Sequence, residues 1–352
     1  GEVGWTDSQV EALIEGVRSR GHMDNAWVFI LSDHGEGRGE HGEALHGVLL
    51  YNSTTRIPFI AVPPKGAQGE ERVDFAVSLV DVMPTVLKLA GVEAPEGLDG
   101  IDLSPWITVS TKAPPAPDRA VFLESLYAYR HYGWAPQKAM VTDEYKLNDS
   151  TTPELYEAWD LAESADLAAA RPKVLGELKD SLGEMTSAMV TKEGAAGKAE
   201  LSPERLAQLA ALGYLTVTVA EDTPTEGLPD PVARLPILKE VDQARKAFQK
   251  GDLEEAKKRV ADVLKQEPTL VDIRNLEAHI MWRSGDGEGA LKAIRDLDAA
   301  HPSSQAKVTM AAIMVQQKMI SEATELLSEV LQTDPYLTAA WRPYLHALFL
   351  SG

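Results

Sequence analysis

Val28-Phe29-Ile30-Leu31-Ser32-Asp33-His34-Gly35-Glu36 is a short apolar, β-prone run that ends in a carboxylate and an imidazole. Gly39-Glu40-His41-Gly42 and Leu45-His46-Gly47 follow it, and their glycines let the backbone crowd a ligand. In an open α/β sheet, ligands sit beyond the carboxyl ends of the strands. Asp33 and His34 are therefore expected where such a sheet does its chemistry. A carboxylate oxygen beside an imidazole nitrogen supplies half of a divalent metal site, and the other half must come from elsewhere.

Outward from that run, residues 1–20 read as an amphipathic helix, with Val10, Leu13, Ile14 and Val17 at helical spacing. Residues 27–31 read as a buried parallel strand and 57–62 as a second strand, stopped by Pro63-Pro64. Residues 78–90 form a predicted helix closed by Gly91. Strands are predicted at 120–123 and 139–142, with Tyr145-Lys146-Leu147 as a hairpin partner. Strands alternating with helices, and apolar runs without a polar face, point to an α/β sandwich. From 153 to about 215 the pattern is polar and helical, and Ser202-Pro203-Glu204-Arg205 reads as a helix start. Residues 216–235 have a linker composition.

Beyond residue 235 the chain repeats itself. Gly251, Gly285 and Met319 lie 34 residues apart, while Ala256, Ala290 and Ala323, and Pro268, Pro302 and Pro335, follow at spacings of 34 and 33. A helix-turn-helix unit of that period is the tetratricopeptide-type signature, with alanine admitting close helix approach and proline ending the second helix. Three units and a final helix suit a stackable array whose last element closes the core. The expected division is therefore 1–150, α/β; 151–215, helical tail; 216–235, linker; and 236–352, helical repeats.

At 352 residues the chain exceeds the roughly 250–300 at which single cores stop growing. A net charge of −20 argues against nucleic-acid binding, since no basic patch is dense enough to neutralise phosphates. The sequence has no cysteine, which excludes disulfides, thiolate ligands and a cysteine nucleophile within it. No apolar run approaches the roughly 20 residues of a membrane span. The opening Gly1-Glu2-Val3-Gly4-Trp5, without an initiator methionine and with a helix already under way, reads as the carboxyl-terminal portion of a longer protein.

The stretch from residue 1 to about 106 resembles the carboxyl-terminal half of the sulfatase catalytic domain, within the alkaline-phosphatase superfamily. The resemblance is carried by Ser32-Asp33-His34-Gly35-Glu36, Gly39-Glu40-His41-Gly42, Leu45-His46-Gly47, Tyr51, Arg56-Ile57-Pro58 and Val77-Ser78-Leu79-Val80-Asp81-Val82-Met83-Pro84-Thr85. Glu154-Leu155-Tyr156 and 201–215, ending Leu212-Gly213-Tyr214-Leu215, resemble the tails of sulfatases that carry tetratricopeptide repeats. The familiar Glu-Leu-Tyr-Asp-Leu run is broken here as Glu154-Leu155-Tyr156-Glu157-Ala158-Trp159-Asp160-Leu161. The implied fold is part of a sulfatase-like α/β sandwich followed by an all-α solenoid of tetratricopeptide type.

That resemblance makes Asp33 and His34 the paired metal ligands. Many sulfatases carry Asp-Asn there, with calcium; a histidine nitrogen tilts the divalent ion toward zinc or manganese. His46 aligns with the Lys or His that touches sulfate or phosphate oxygens, a catalytic and substrate-binding role, and His41 is a second substrate-binding candidate or a supporting residue. Arg56 reads as a loop anchor and Asp81 as an N-terminal cap. His131-Tyr132-Gly133-Trp134 either borders the substrate mouth or packs as an aromatic turn under the sheet. His22, His279, His301 and His346 are assigned no chemistry. The family's nucleophile, a formylglycine made from the Cys or Ser of a Cys/Ser-x-Pro-x-Arg motif, is absent from this sequence, as are its early Asp ligands. The expected function is metal-dependent hydrolysis of sulfate esters by the longer protein, with residues 1–352 inactive and weakly metal-binding alone. Two other readings stand beside it: a phosphoethanolamine- or phosphoglycerol-type transferase or phosphate or phosphonate monoester hydrolase, and a repeat-based binding module with an inactive hydrolase remnant. The repeats imply a protein or peptide partner, with Arg274, Asn275 and Lys307 as examples of groove residues. The resemblance also implies a periplasmic or extracellular location.

Overall fold

The structure is a computed structural model that describes residues 1–65, 72–108, 114–196, 227–268, 270–300, 304–333, 335 and 337–351. The expected helix start at 202–205, the 201–215 resemblance and Pro302 lie outside the described residues.

The opening helix α1 (Glu2–Ser19) leaves Val3, Trp5 and Leu13 exposed. It leads to β1 (Val28–Leu31), which pairs antiparallel with β2 (Phe59–Val62), Leu31 opposite Phe59 and Val28 opposite Val62. The expected buried parallel strand at 27–31 is thus corrected on both counts. An apolar run lacking a polar face resembles a strand covered on both sides. Here instead β1 is half-buried, and Ile60 and Val62 of its partner are exposed.

Between the two strands, the chain makes the long loop that carries the candidate residues, with one short helix α2 (Asn52–Thr55). After β2, a single turn at Leu79–Asp81 opens α3 (Val82–Leu89), and Gly91, at φ +69°, follows its end. Asp81 is fully buried and caps this turn, accepting N–H bonds from Ser78 (2.7 Å) and Ile101 (2.9 Å) while pairing with Arg119 at 2.8 Å. A buried carboxylate is tolerated because both oxygens have donors and one faces a guanidinium. The expected capping role takes the form of a capping box, with Ser78 as the N-cap and Asp81 as its third-position partner.

A short helix α4 (Ser104–Ile107) precedes the second sheet, whose order is β3-β4-β5-β6: Val121–Ser125, Gln137–Val141, Tyr145–Asp149 and Glu154–Glu157. Every neighbouring pair is antiparallel. The predicted hairpin at 139–147 forms, but Glu154–Glu157, expected to open a helical tail, is the fourth strand. Its central pair packs inward: Leu155 lies opposite Leu147 and both are fully buried. The sheet therefore continues past residue 150. Between β3 and β4, α5 (Tyr127–Tyr132) and the fully buried Trp134 make an aromatic turn. His131 stacks on Tyr127 at 4.1 Å there, the buried alternative for this segment. The long helix α6 (Pro172–Ala196) covers one face of the sheet by setting Leu182 against Met140 and Leu147.

The array starts at Pro231, inside the stretch expected to be linker, because Asp230 caps the helix and proline suits its first turn. Its helices are α7 (Pro231–Lys250), α8 (Leu253–Gln266), α9 (Val271–Arg283), α10 (Gly287–Ala300), α11 (Ser304–Gln316), α12 (Ile320–Thr333) and α13 (Thr338–Ser351). Each helix packs on the next. Ala256, Ala290 and Ala323 are all 0% exposed, as expected of positions that set the helix separation. Gly251 and Gly285 turn the chain at φ +82° and +91°. The third turn uses Lys318 at φ +62° rather than Met319, so the conformational repeat there is one residue shorter than 34. At the far end α13 buries Ala340 and Ala347 but exposes Trp341, Leu345 and Phe349, so it does not close the array with a polar face.

Candidate functional site

β1 delivers Ser32, Asp33 and His34 into a turn that bonds to itself. The Ser32 hydroxyl donates to the His34 carbonyl (2.6 Å), and the His34 N–H donates to Asp33 Oδ1 (3.0 Å). His34 Nδ1 lies 2.8 Å from the Gly35 carbonyl. A carbonyl only accepts, so Nδ1 carries a proton, and in the neutral ring Nε2 is the nitrogen with the lone pair. That Nε2 stands 3.6 Å from Asp33 Oδ2. Two ligands each about 2.1 Å from one ion at a tetrahedral angle are separated by about 3.4 Å, so the pair fits a shared divalent cation. Slight desolvation raises the Asp33 carboxyl, but the N–H groups of Asp33 and His34, the His34 ring and the Ser32 hydroxyl outweigh it and hold it below its ordinary value. An ionised oxygen and a free imidazole nitrogen are what a metal needs. Among the described residues no cluster of three or more His, Asp or Glu is arranged around a cation position. By itself the pair could supply no more than two ligands.

His46 joins this pair from twelve residues downstream. Its ring stacks on that of His34 at 4.0 Å between centroids. Its Nδ1 is 3.1 Å from Glu36 Oε2, which orients the ring. Sequence reasoning missed Glu36 as an orienting group; its position two residues after His34 was the available signal.

Backbone geometry makes the turn possible. A β-carbon on Gly35 would lie 2.3 Å from the Ser53 carbonyl oxygen, and one on Gly37 would lie 2.6 Å from that of Glu43. The loop returns on a buried carboxylate that no motif marks: Glu43 accepts the N–H of Val48 (2.8 Å) and Leu49 (3.1 Å). Burial raises the Glu43 carboxyl and those two bonds only partly offset it. On the other side, the Ser125 hydroxyl donates to the Gly47 carbonyl.

His41 is not brought to the pair through its ring nitrogen. It lies flat on Tyr51, with centroids 3.7 Å apart and planes 9° apart, and its Nε2 donates to the Ala162 carbonyl at 3.1 Å. It lines an open cavity of about 260 Å³ with Asn52, Ser53, the exposed Arg56 and Glu163. Beneath this cavity Lys146 and Glu163 form a buried ion pair at 2.7 Å. Glu163 also accepts the Asn52 N–H (2.5 Å), and Lys146 donates to Asn52 Oδ1 (3.1 Å). Desolvation pushes the Lys146 ammonium down, against the pull of Glu163.

Residues 1–92 match the Sulfatase family model. An uncharacterized sulfatase, YidJ, of Escherichia coli (strain K12) is 36% identical over 160 residues, 44% of this chain and 30% of that protein. Arylsulfatase K of Xenopus laevis is 25% identical over 193 residues, 50% of this chain and 34% of that one. A delta 4,5-hexuronate-2-O-sulfatase of Bacteroides thetaiotaomicron is 31% identical over 101 residues, 28% of this chain and 21% of that one. The chain spans about a third or less of the length of these curated relatives. A solved 2-O GAG sulfatase superposes at a TM-score of 0.46 and 24% identity over 56% of this chain and 44% of that one, a likeness too partial to carry the fold. The family match and the relatives support the sulfatase superfamily for this segment. Among the described residues, no helix is long and apolar enough to cross a membrane.

Proposed function

We propose that residues 1–157 are the metal- and substrate-facing part of a sulfate-ester hydrolase whose nucleophile lies in sequence upstream of these 352 residues. The observation that carries the reading is the Asp33–His34 pair, 3.6 Å apart, inside the segment that matches the sulfatase family. Asp33 Oδ2 and His34 Nε2 would hold a divalent cation, with zinc or manganese favoured by the nitrogen ligand. Such a cation supplies electrostatic stabilisation to an anionic ester oxygen. His46, oriented by Glu36, presents Nε2 to the substrate; as an imidazolium it donates a hydrogen bond to the ester's charged oxygens or a proton to the leaving alkoxide. His41 supports the loop that holds His46. Residues 231–351 are read as tetratricopeptide-type repeats that take a protein or peptide partner. Of the expected groove residues, Arg274 is already engaged with the Pro268 carbonyl (3.0 Å) and Glu277 (3.0 Å). A periplasmic or extracellular setting accords with this reading.

The test uses the protein with its upstream sequence restored. Asp33→Ala is expected to lower kcat/KM for an aryl sulfate by at least about a hundredfold, as loss of a metal ligand does. Unchanged turnover removes the metal role of Asp33. Because His34 is a nitrogen ligand, an aryl phosphate is assayed in parallel; faster turnover of the phosphate moves the assignment to phosphate monoesters. Residues 1–352 alone are expected to turn over neither.

A further inference from the structure

The histidine loop is clamped from a side the motif does not reveal. His41 sits at φ +51°, ψ +16°, a left-handed conformation that a residue with a β-carbon keeps only where its surroundings impose it. Tyr51 and Ala162 hold its ring, and Glu43 holds the returning backbone. The remaining side is occupied by the helical array. Leu235 of α7 lies so close to Gly42 that a β-carbon there would meet its Cδ1 at 3.1 Å. Leu235 is 7% exposed and belongs to one apolar cluster with Val48, Leu49, Tyr51, Trp134 and Tyr156, flanked by Val232 and Leu238 of the same helix.

α7 is in turn fixed at its amino end. The Asp230 carboxylate caps it through the Val232 N–H (2.8 Å) and also accepts from the Ser150 hydroxyl (3.2 Å), the Thr151 hydroxyl and the Thr152 N–H (3.1 Å). The Ala135 N–H donates to the Pro229 carbonyl at 2.9 Å. Further along, Tyr132 packs in the clusters of both the α/β part and the array. The first array helix is therefore anchored to the sheet at one end and pressed on the loop at its middle.

We infer that Leu235 is a positioning residue: α7 is the back wall of the His41–His46 loop, so the helical array sets the geometry of the candidate imidazoles. The inference rests on the reading of that loop as part of the substrate site, but its test reads the loop itself, in residues 1–352, without turnover. Leu235→Ala removes the wall, Leu235→Met restores its bulk, and Leu327→Ala removes the same volume from the fully buried core of the last hairpin. Amide exchange over 40–49 is expected to accelerate by about tenfold or more in Leu235→Ala, with displaced His41 and His46 ring resonances. Leu235→Met is expected to return both toward the parent, and Leu327→Ala to leave both unmoved. Unchanged exchange and resonances in Leu235→Ala overturn the inference, as does equal loosening of the loop by Leu327→Ala. Leu235→Val, a smaller deletion, gives the same reading at lower amplitude should the alanine variant not fold. Failure of sulfate-ester turnover in the longer protein leaves these loop measurements standing, so the two failures are told apart.

Discussion

The 32–56 loop and the 231–351 array are built on opposite principles. In the array, identical small residues recur at a spacing of 34 or 33, and three alanines with no exposed surface set the distance between helices. In the loop nothing repeats. Beside its backbone bonds and apolar backing, its path is held by individual polar tethers, Glu43 to Val48 and Leu49, Ser125 to Gly47, and Glu163 to Asn52. Periodic packing spreads its stability over many weak contacts, whereas tethered loops concentrate it in a few buried groups. Removing one group should therefore hurt the tethered part more than the repeated part.

The hardest test of that contrast is the buried ion pair. Lys146→Met leaves Glu163 without its cation in a site where both side chains are almost fully enclosed. A loss of about 3–5 kcal/mol is expected, since stripping one partner strands a buried charge. Denaturant unfolding of the variant measures it; a value near zero would show that solvent reaches Glu163.

Leu327→Ala probes the periodic side. A cavity at a fully buried leucine costs about 2–5 kcal/mol, with the low end expected where neighbouring helices can close in. A loss above that of Lys146→Met reverses the ranking of the two regions.

Glycine separates the regions more finely. Gly285 has φ +91°, and a β-carbon there would meet no atom within 4 Å, so Gly285→Ala carries only the left-handed backbone penalty, about 1–2 kcal/mol. Gly42 has a similar φ, +85°, but also Leu235 at 3.1 Å, and Gly42→Ala is expected to cost more. Equal losses in thermal unfolding would mean that α7 yields freely.

The smallest effect is on pH dependence, at the seam between the two regions. Burial lowers the His131 imidazole, with Asp272 opposing and Arg245 and Arg130 assisting. A folded value below the ordinary 6.5 means that the unfolded chain binds the proton first as pH falls. Stability is accordingly lost on acidification from about 6.5 down through the lowered folded value. His279, lowered by burial alone, acts in the same direction. His131→Gln should flatten the pH dependence of the denaturation midpoint on the acid side of neutrality, and an unaltered slope assigns the dependence elsewhere.

The sequence carried the array almost whole, because a 34-residue period is a one-dimensional signal; even there Lys318, not Met319, took the left-handed turn. It also marked Asp33, His34 and His46 as candidates, their neighbours being a strand end followed by glycine, and the structure sets the three side by side. It did not carry Glu36 and Glu43 as holders of that loop, nor Leu235 behind it, because such roles depend on who faces whom after folding. The strand at Glu154–Glu157 was hidden for a related reason: four residues between polar stretches gain strand character only from the partner that pairs with them.

Residue order by itself determined the repeat, the Asp33-His34 doublet at the strand end and the absence of a cysteine nucleophile from this stretch, since each is local or periodic. Only the tertiary structure decided that β1 and β2 run antiparallel, that His41 turns onto Tyr51 while His46 joins His34, and that the array's first helix backs their loop. Those choices hang on contacts between residues far apart in the chain, where burial and hydrogen-bond satisfaction of the whole outweigh any local preference.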